Sequence, residues 1–304
     1  MKLLKGLAVL STFGMLLVLL GGALVTKTGS GMGCGQSWPL CHGQLIPSSI
    51  NLELIIELSH RLVSGGVGLF VLALAILSWR RVGHIREVKF LSFLAFFFLL
   101  AQGLIGAAAV KWGQSDFVLA MHFGISLVSF SAVLLLTLII FEIDKKFDAD
   151  SVYIKKDLRI QFYGLISYVL LVVYTGALVR HTNSSMVCMD WPFCYNRSPF
   201  DFSSYGIYQW IQMGHRLAAG MVFIWTIYLF IKVLREYKDD SLMRTGWLIA
   251  VILMIVQVAL GAFVIITYVH LIVALLHALV ISLYVGLLSY FLLLSSRSAK
   301  KHKD

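Results

Sequence analysis

Eight apolar runs, each near the roughly 20 residues an α-helix needs to cross a bilayer, constrain this chain more than anything else in it. They cover 7–27, 53–79, 90–110, 117–142, 160–180, 208–231, 246–267 and 271–295. Hydrocarbon offers the backbone no hydrogen-bond partners, so runs of this length must close their bonds internally as helices. Composition agrees. Of 304 residues, 59% are hydrophobic and only 13% are charged, about half the charged share of a soluble domain, and mean hydropathy is +0.87. The expected class is all-α integral membrane. Met1, Lys2 and Lys5 ahead of the first run look like a signal peptide, but the run is long and lacks a convincing small-residue cleavage site, so it reads as a retained first helix.

A net charge of +10 suggests nucleic acid only until the charges are placed. Of 25 Lys and Arg, 19 lie at the N-terminus, in three alternate loops or in the C-terminal tail. The loops hold Arg80, Arg81, Arg86 and Lys89; then Lys145, Lys146, Lys155, Lys156 and Arg159; then Lys232, Arg235, Lys238 and Arg244. The tail adds Arg297, Lys300, Lys301 and Lys303. Only Lys27, Lys111, Arg180 and Arg197 fall on the opposite side, with Arg61 and Arg216 inside apolar runs. The positive-inside rule puts both termini in the cytoplasm of a multi-pass plasma-membrane protein. The basic balance therefore reports topology and lipid, and gives no reason to invoke a nucleic-acid partner.

The chain repeats itself. Gly22 returns as Gly176, the set Cys34, Trp38, Pro39 and Cys41 as Cys188, Trp191, Pro192 and Cys194, and the pair His60 and Arg61 as His215 and Arg216. Gln102 and Gly106 return as Gln257 and Gly261, and His122 as His277, all at offsets of 153 to 155. Such register implies two four-helix units: 1–143, a linker over 144–159, and 160–304. Four helices is an even number, so both halves enter from one side, as parallel repeats about a pseudo-two-fold axis along the membrane normal. His60 lies about 7 residues from the outer end of its run, roughly 10 Å deep, and the other three come out at similar depth. The histidines and the cysteine loops are expected toward the outer face.

A single intramembrane histidine is most often a hydrogen-bonded packing residue. Four of them, in two pairs each separated by 62 residues, argue otherwise. Imidazole pairs from facing helices of a four-helix bundle hold a haem iron from both sides. Zinc or copper is the alternative, though such metals usually draw Cys, Met or carboxylate into the shell. Arg61 and Arg216 sit beside the candidate ligands, where a guanidinium can pair bidentately with haem propionates or snorkel toward headgroups. Glu57 lies one turn outward from His60 on the same face. A carboxylate withdrawn from water can take or give protons near neutrality; the plainer reading is a glutamate favoured by the helix dipole. Its repeat partner is Gln212, of similar size and unable to ionise. That asymmetry suggests a reacting site in the first half and an electron-transfer haem in the second. Every cysteine falls in an outer loop, where disulfides persist. One local bridge per half, Cys34–Cys41 and Cys188–Cys194, is the natural connectivity among three. Each would cap the helix ends; a redox-active exchange pair is the alternative, chiefly for Cys34 and Cys41. Metal ligation involving His42 or His181 is weaker.

Taken together, these features resemble haem A synthase of the Gram-positive bacterial type, over the whole chain. The resemblance implies oxidation of the C8 methyl group of haem O to a formyl group by successive hydroxylations, the second giving a hydrate that loses water. It further implies haem b as cofactor on His215 and His277, substrate haem at His60 and His122, and Glu57 as catalytic acid or base. Cys34 with Cys41 and Cys188 with Cys194 match the family's two cysteine pairs, although the spacings of the two loops differ. The implied partners are haem O, the prenyltransferase that forms it, the cytochrome oxidase assembly route and an electron acceptor. The competing readings are a bis-His dihaem cytochrome b and a haem transporter or chaperone. A pure cytochrome predicts equivalent sites, and the Glu57/Gln212 difference counts against it.

Overall fold

The computed structural model describes residues 1–44, 47–48, 50–113, 115–147, 149, 152–195, 198 and 200–301. Arg197 and Lys303, both used in placing the charges, lie outside them. The helices are α1 (Lys2–Lys27), α2 (Leu52–Arg81), α3 (Val88–Trp112), α4 (Asp116–Ile140), the single turn α5 (Ile143–Lys146), α6 (Lys156–His181), α7 (Ile207–Glu236), α8 (Ser241–Ile266) and α9 (Leu271–Lys301). All but α5 are long and apolar enough to cross a membrane, eight in total among the described residues. Several outrun their apolar windows at the basic end: α2 reaches Arg81, α7 reaches Glu236 and α9 reaches Lys301. Helix propagation does not stop at the edge of hydrocarbon. Lys, Arg and Glu are good helix formers, and cations suit the C-terminal carbonyls.

Two compact units form, Met1–Ile143 and Asp144–Asp304. In the first, α1 packs on α2, α2 on α3, α3 on α4 and α4 back on α1. In the second the same ring runs through α6, α7, α8 and α9. Each unit is therefore a four-helix bundle in which α2 stands diagonally from α4, or α7 from α9. The histidines lie on these diagonal helices. His60 is the ninth residue of α2 and His215 the ninth of α7; His122 is the seventh of α4 and His277 the seventh of α9. Helix starts set those depths, and side chains fix two of them: Asn51 Oδ1 accepts from Leu54 N at 2.8 Å ahead of α2, and Ser115 Oγ from Val118 N at 3.3 Å ahead of α4.

With lipid on the outside there is little hydrophobic drive between helices, so packing and interhelical hydrogen bonds hold such bundles. In the first unit Thr12 Oγ1 lies 2.7 Å from Thr137 Oγ1, and Thr137 also donates to Ala8 O at 3.1 Å, tying α1 to α4. In the second, Trp247, Phe162 and Phe291 form a three-ring cluster, with the Trp247 ring centroid 4.8 Å from Phe162 and 5.3 Å from Phe291, and the two phenylalanines 5.7 Å apart. The fully buried Tyr284 shares a hydrogen bond of 2.6 Å with Thr226. The stretch 144–159 is anchored within this unit: Asp144 accepts from Tyr290 Oη at 2.9 Å and pairs with Arg297 at 2.6 Å, and Ile154 N donates to Ser298 Oγ at 2.8 Å.

Candidate haem and disulfide-loop site

The loop after α1 and the loop after α6 are built alike, down to single atoms. Each begins with a left-handed residue, Gly29 (φ 69°) or Asn183 (φ 56°), followed by a short 3-10 turn. Each is tied by a hydroxyl pair at 2.7 Å, Thr28 with Ser30 and Thr182 with Ser184. Both expected disulfides are present, Cys34–Cys41 and Cys188–Cys194, and all four cysteines are buried. Thiol–disulfide exchange needs access to a sulfur, and neither bridge offers it in this conformation. In the first loop, His42 (φ 51°) and Gly43 (φ 77°) form a two-residue turn closed by Cys41 and Gln44, which exchange backbone bonds of 2.9 Å. His42 Nε2 is 3.1 Å from Gly33 O.

Glu57 and Gln212 anchor these loops to the helices beneath. Both are buried, at 3% and 2% exposure. Glu57 Oε2 accepts the backbone N–H of Cys34 at 2.8 Å, and Gln212 Oε1 accepts that of Cys188 at 2.7 Å. Their second atoms differ. Gln212 Nε2 donates to Ser185 O at 2.7 Å. Glu57 has no hydrogen to give, and its Oε1 pairs with Arg61 one turn along α2. The arginines finish the clamp: Arg61 Nη1 donates to Ser37 O at 2.7 Å and Leu40 O at 3.2 Å. Arg216 donates to Asp190 O at 2.7 Å and Cys188 O at 2.8 Å, with further contacts to Pro192 and Phe193 carbonyls. Both guanidinium groups thus donate to loop carbonyls, Arg61 through Nη1 and Arg216 through both Nη1 and Nη2.

Below the clamp, each histidine ring lies against a glycine of a neighbouring helix. A Cβ built on Gly22 (α1) would come 3.5 Å from His60 Cε1, on Gly106 (α3) 3.3 Å from His122 Cε1, on Gly176 (α6) 2.8 Å from His215 Cε1, and on Gly261 (α8) 3.3 Å from His277 Cε1. The glycines permit imidazoles to lie almost on backbone. All four histidines are half-buried. His60 and His122 are near enough to interact electrostatically. The Nδ1 atoms of these two are buried without a hydrogen-bond partner among the described residues. His215 Nδ1 lies 2.9 Å from Thr175 Oγ1, and His277 Nε2, the other ring nitrogen, lies 3.2 Å from Gln257 Nε2.

Imidazoles on diagonal helices, each lying against a glycine of a neighbouring helix, suit a planar iron macrocycle that brings its own four equatorial donors. A bare metal ion is poorly provided for. Among the described residues, no three of His, Cys, Asp and Glu converge on one point, whereas a zinc site needs three or four protein ligands.

Known proteins resemble this chain along its whole length. The family model for cytochrome oxidase assembly proteins of the COX15-CtaA type matches residues 5–53 and 48–289. The chain belongs to that family. It is 56% identical to the heme A synthase of Lysinibacillus sphaericus over 302 residues, covering 99% of this chain and 98% of that one. It is 56% identical to the heme A synthase of Geobacillus kaustophilus, covering 98% and 93%, and 50% identical to that of Bacillus cereus, covering 100% and 96%. The identity runs along the whole chain, so the COX15-CtaA assignment covers both histidine pairs and both cysteine loops.

Two features of this family member were not apparent from its sequence. Thr175 has no repeat counterpart of its own type, since Gly21 stands at the matching position, and a hydrogen bond made in only one half leaves no periodic trace. Gly22, Gly106, Gly176 and Gly261 were visible as repeat landmarks, but glycine is frequent in membrane helices, so nothing marked them as ring supports.

Proposed function

We propose that this chain is a haem A synthase that oxidises the C8 methyl group of haem O to a formyl group by two successive hydroxylations, the second yielding a hydrate that loses water. The observation that carries the reading is the Glu57/Gln212 difference inside an otherwise duplicated frame. Both side chains perform the same loop anchorage, which needs only an acceptor. An ionisable group is surplus to that task, and it occurs one turn from only one histidine pair.

In this reading His60 and His122 hold the substrate haem; the buried Nδ1 of His60, unlike that of His215, has no hydrogen-bond partner among the described residues, which leaves that ring free to adjust as substrate enters and product leaves. Each replacement of a methyl C–H by a C–O bond, with water as the oxygen source, releases two protons and two electrons; Glu57 takes up one proton and passes it on before receiving the next. Arg61 holds the carboxylate in place and keeps a counter-charge beside it. Arg61 and Arg216 are also the candidate partners of haem propionates, which would draw donors from the loop carbonyls. His215 and His277 hold haem b; on iron ligation His277 Nε2 would exchange its Gln257 contact for the metal. That haem, when bound, would supply a one-electron relay, so the two electrons of each hydroxylation would leave one at a time to an external electron acceptor. The disulfide loops close the ends of both bundles, excluding water from the sites beneath, and Cys34–Cys41 sits one hydrogen bond from Glu57. The sites face the outer side of the cell membrane with both termini cytoplasmic. Haem O arrives from its prenyltransferase or from lipid, and haem A passes to oxidase assembly.

The test is pigment analysis of a strain that makes haem O and lacks other haem A-forming activity. Expression of this chain should convert extractable haem O to haem A. Two tightly bound haems b with no haem A formed would overturn the reading in favour of an electron-transfer cytochrome. Haem O that binds and exchanges without oxidation would overturn it in favour of a carrier.

A further inference from the structure

The two halves differ behind their first histidines as well as in front of them. His215 Nδ1 lies 2.9 Å from Thr175 Oγ1, and the same hydroxyl donates to Val172 O at 2.7 Å. A threonine hydroxyl carries one hydrogen. With that hydrogen on the carbonyl, Oγ1 presents a lone pair to the imidazole, so Nδ1 of His215 must carry the proton and Nε2 is the bare nitrogen. In the first half Gly21 stands at the position of Thr175. It offers no hydroxyl, a Cβ there would come 2.9 Å from His60 Nδ1, and that nitrogen is buried without a partner.

We propose that Thr175 is a positioning residue that locks His215 in the Nδ1–H tautomer and makes it the permanent axial ligand of haem b, while Gly21 leaves His60 unlocked for a haem that must come and go. This rests on haem b being held by His215 and His277. A ligating histidine that donates its other N–H to an oxygen has its ring orientation and tautomer fixed and its basicity raised, and loss of such a partner typically costs 10–100-fold in affinity. A more basic ligand favours ferric over ferrous iron. The hydroxyl therefore both retains the cofactor and lowers its potential. A ligand with no such bond is held in no preferred tautomer and can release a haem more readily.

The experiment compares full-length wild type with Thr175→Val, which keeps the shape and removes the hydroxyl, and Thr175→Ser, which keeps the hydroxyl. The readouts are haem b transfer to an apoglobin scavenger and the midpoint potential of bound haem b. Thr175→Val should lose haem about tenfold faster and shift the potential upward, and Thr175→Ser should restore both. Should the valine variant not accumulate, Thr175→Ala gives the same comparison without the added methyl. Wild-type haem loss and potential in the hydroxyl-free variant would overturn the proposal. So would a serine variant that behaves like valine, since the effect would then be packing alone. His215→Ala, measured in parallel, separates the premises: if it keeps haem b, the ligand assignment fails; if it loses haem b while Thr175→Val matches wild type, only the role of Thr175 fails.

Discussion

Glu57 and Gln212 occupy the same place in two bundles, accept the same backbone N–H of a cysteine, and are equally buried. Around them the clamp is conserved in plan and altered in detail. Gln212 completes its bonding with an amide hydrogen on Ser185 O, leaving Arg216 to loop carbonyls and the Met213 sulfur. Glu57 completes its own with Arg61. One half thus keeps a neutral anchor and the other a charged one, with no evident gain in loop stability from the charge. A buried ion pair is weak evidence for stabilisation, since desolvation offsets much of the attraction. The comparison teaches that structure alone does not require a carboxylate at position 57. Behind the histidines the asymmetry reverses: the second half has the additional bond, Thr175 to His215, and the first has glycine. A carboxylate and an imidazole whose Nδ1 has no hydrogen-bond partner among the described residues fall in one bundle, an imidazole bonded to a hydroxyl in the other.

The widest separation should come from the ligands. His215→Ala or His277→Ala should abolish stably bound haem b, read as loss of its absorption bands in the purified protein. His60→Ala or His122→Ala should leave those bands and stop haem A formation. Equal haem loss from both pairs would erase the division between the halves. Opening the loop bridges comes next. Replacing Cys34 and Cys41 by Ser should cost about 2–3 kcal/mol of loop ordering, read as a lower thermal unfolding midpoint, and the Cys188, Cys194 double variant should cost about the same. If the first pair costs far more activity than the second at equal stability loss, the first bridge does more than hold a loop.

Gln212→Glu sharpens the comparison from the other side. It sets a carboxylate oxygen against Ser185 O, where an amide now donates, and should destabilise by about 1–3 kcal/mol unless Arg216 turns to pair with it as Arg61 pairs with Glu57. Thermal unfolding with haem b bound measures this. The smallest expected effects concern the ring supports. Gly176→Ala should weaken haem b retention more than Gly261→Ala, because its Cβ would meet the His215 ring at 2.8 Å against 3.3 Å for His277. Overpacking of this kind costs about 1–3 kcal/mol, and equal haem loss rates would remove the steric account.

Much of this was legible in the residues. Apolar run length announced the eight helices, and offsets near 154 announced the repeat, because both signals are carried by many residues at once. The histidine pairs, the cysteine pairs and the Glu57/Gln212 difference followed from aligning the chain with itself. What stayed hidden depends on individual atoms. The bonds of Arg61 and Arg216 to loop carbonyls are one such detail; nothing in a sequence marks which backbone oxygens a loop will turn inward. Thr175 was silent because its partner is a ring nitrogen on another helix. The helix ends drifted from the apolar windows because polar helix formers extend a helix past the membrane edge.

The most direct test of the division of labour is Glu57→Gln, because the second bundle already demonstrates that glutamine can anchor such a loop. In one preparation, bound haem b is read from its spectrum and the ratio of haem O to haem A from extracted pigment. The account predicts an intact haem b spectrum, a folded protein, and haem A formation reduced by about 10²-fold or more, the scale on which a general acid–base group contributes. Wild-type haem A formation in the same variant would contradict it and reduce Glu57 to the structural role it shares with Gln212.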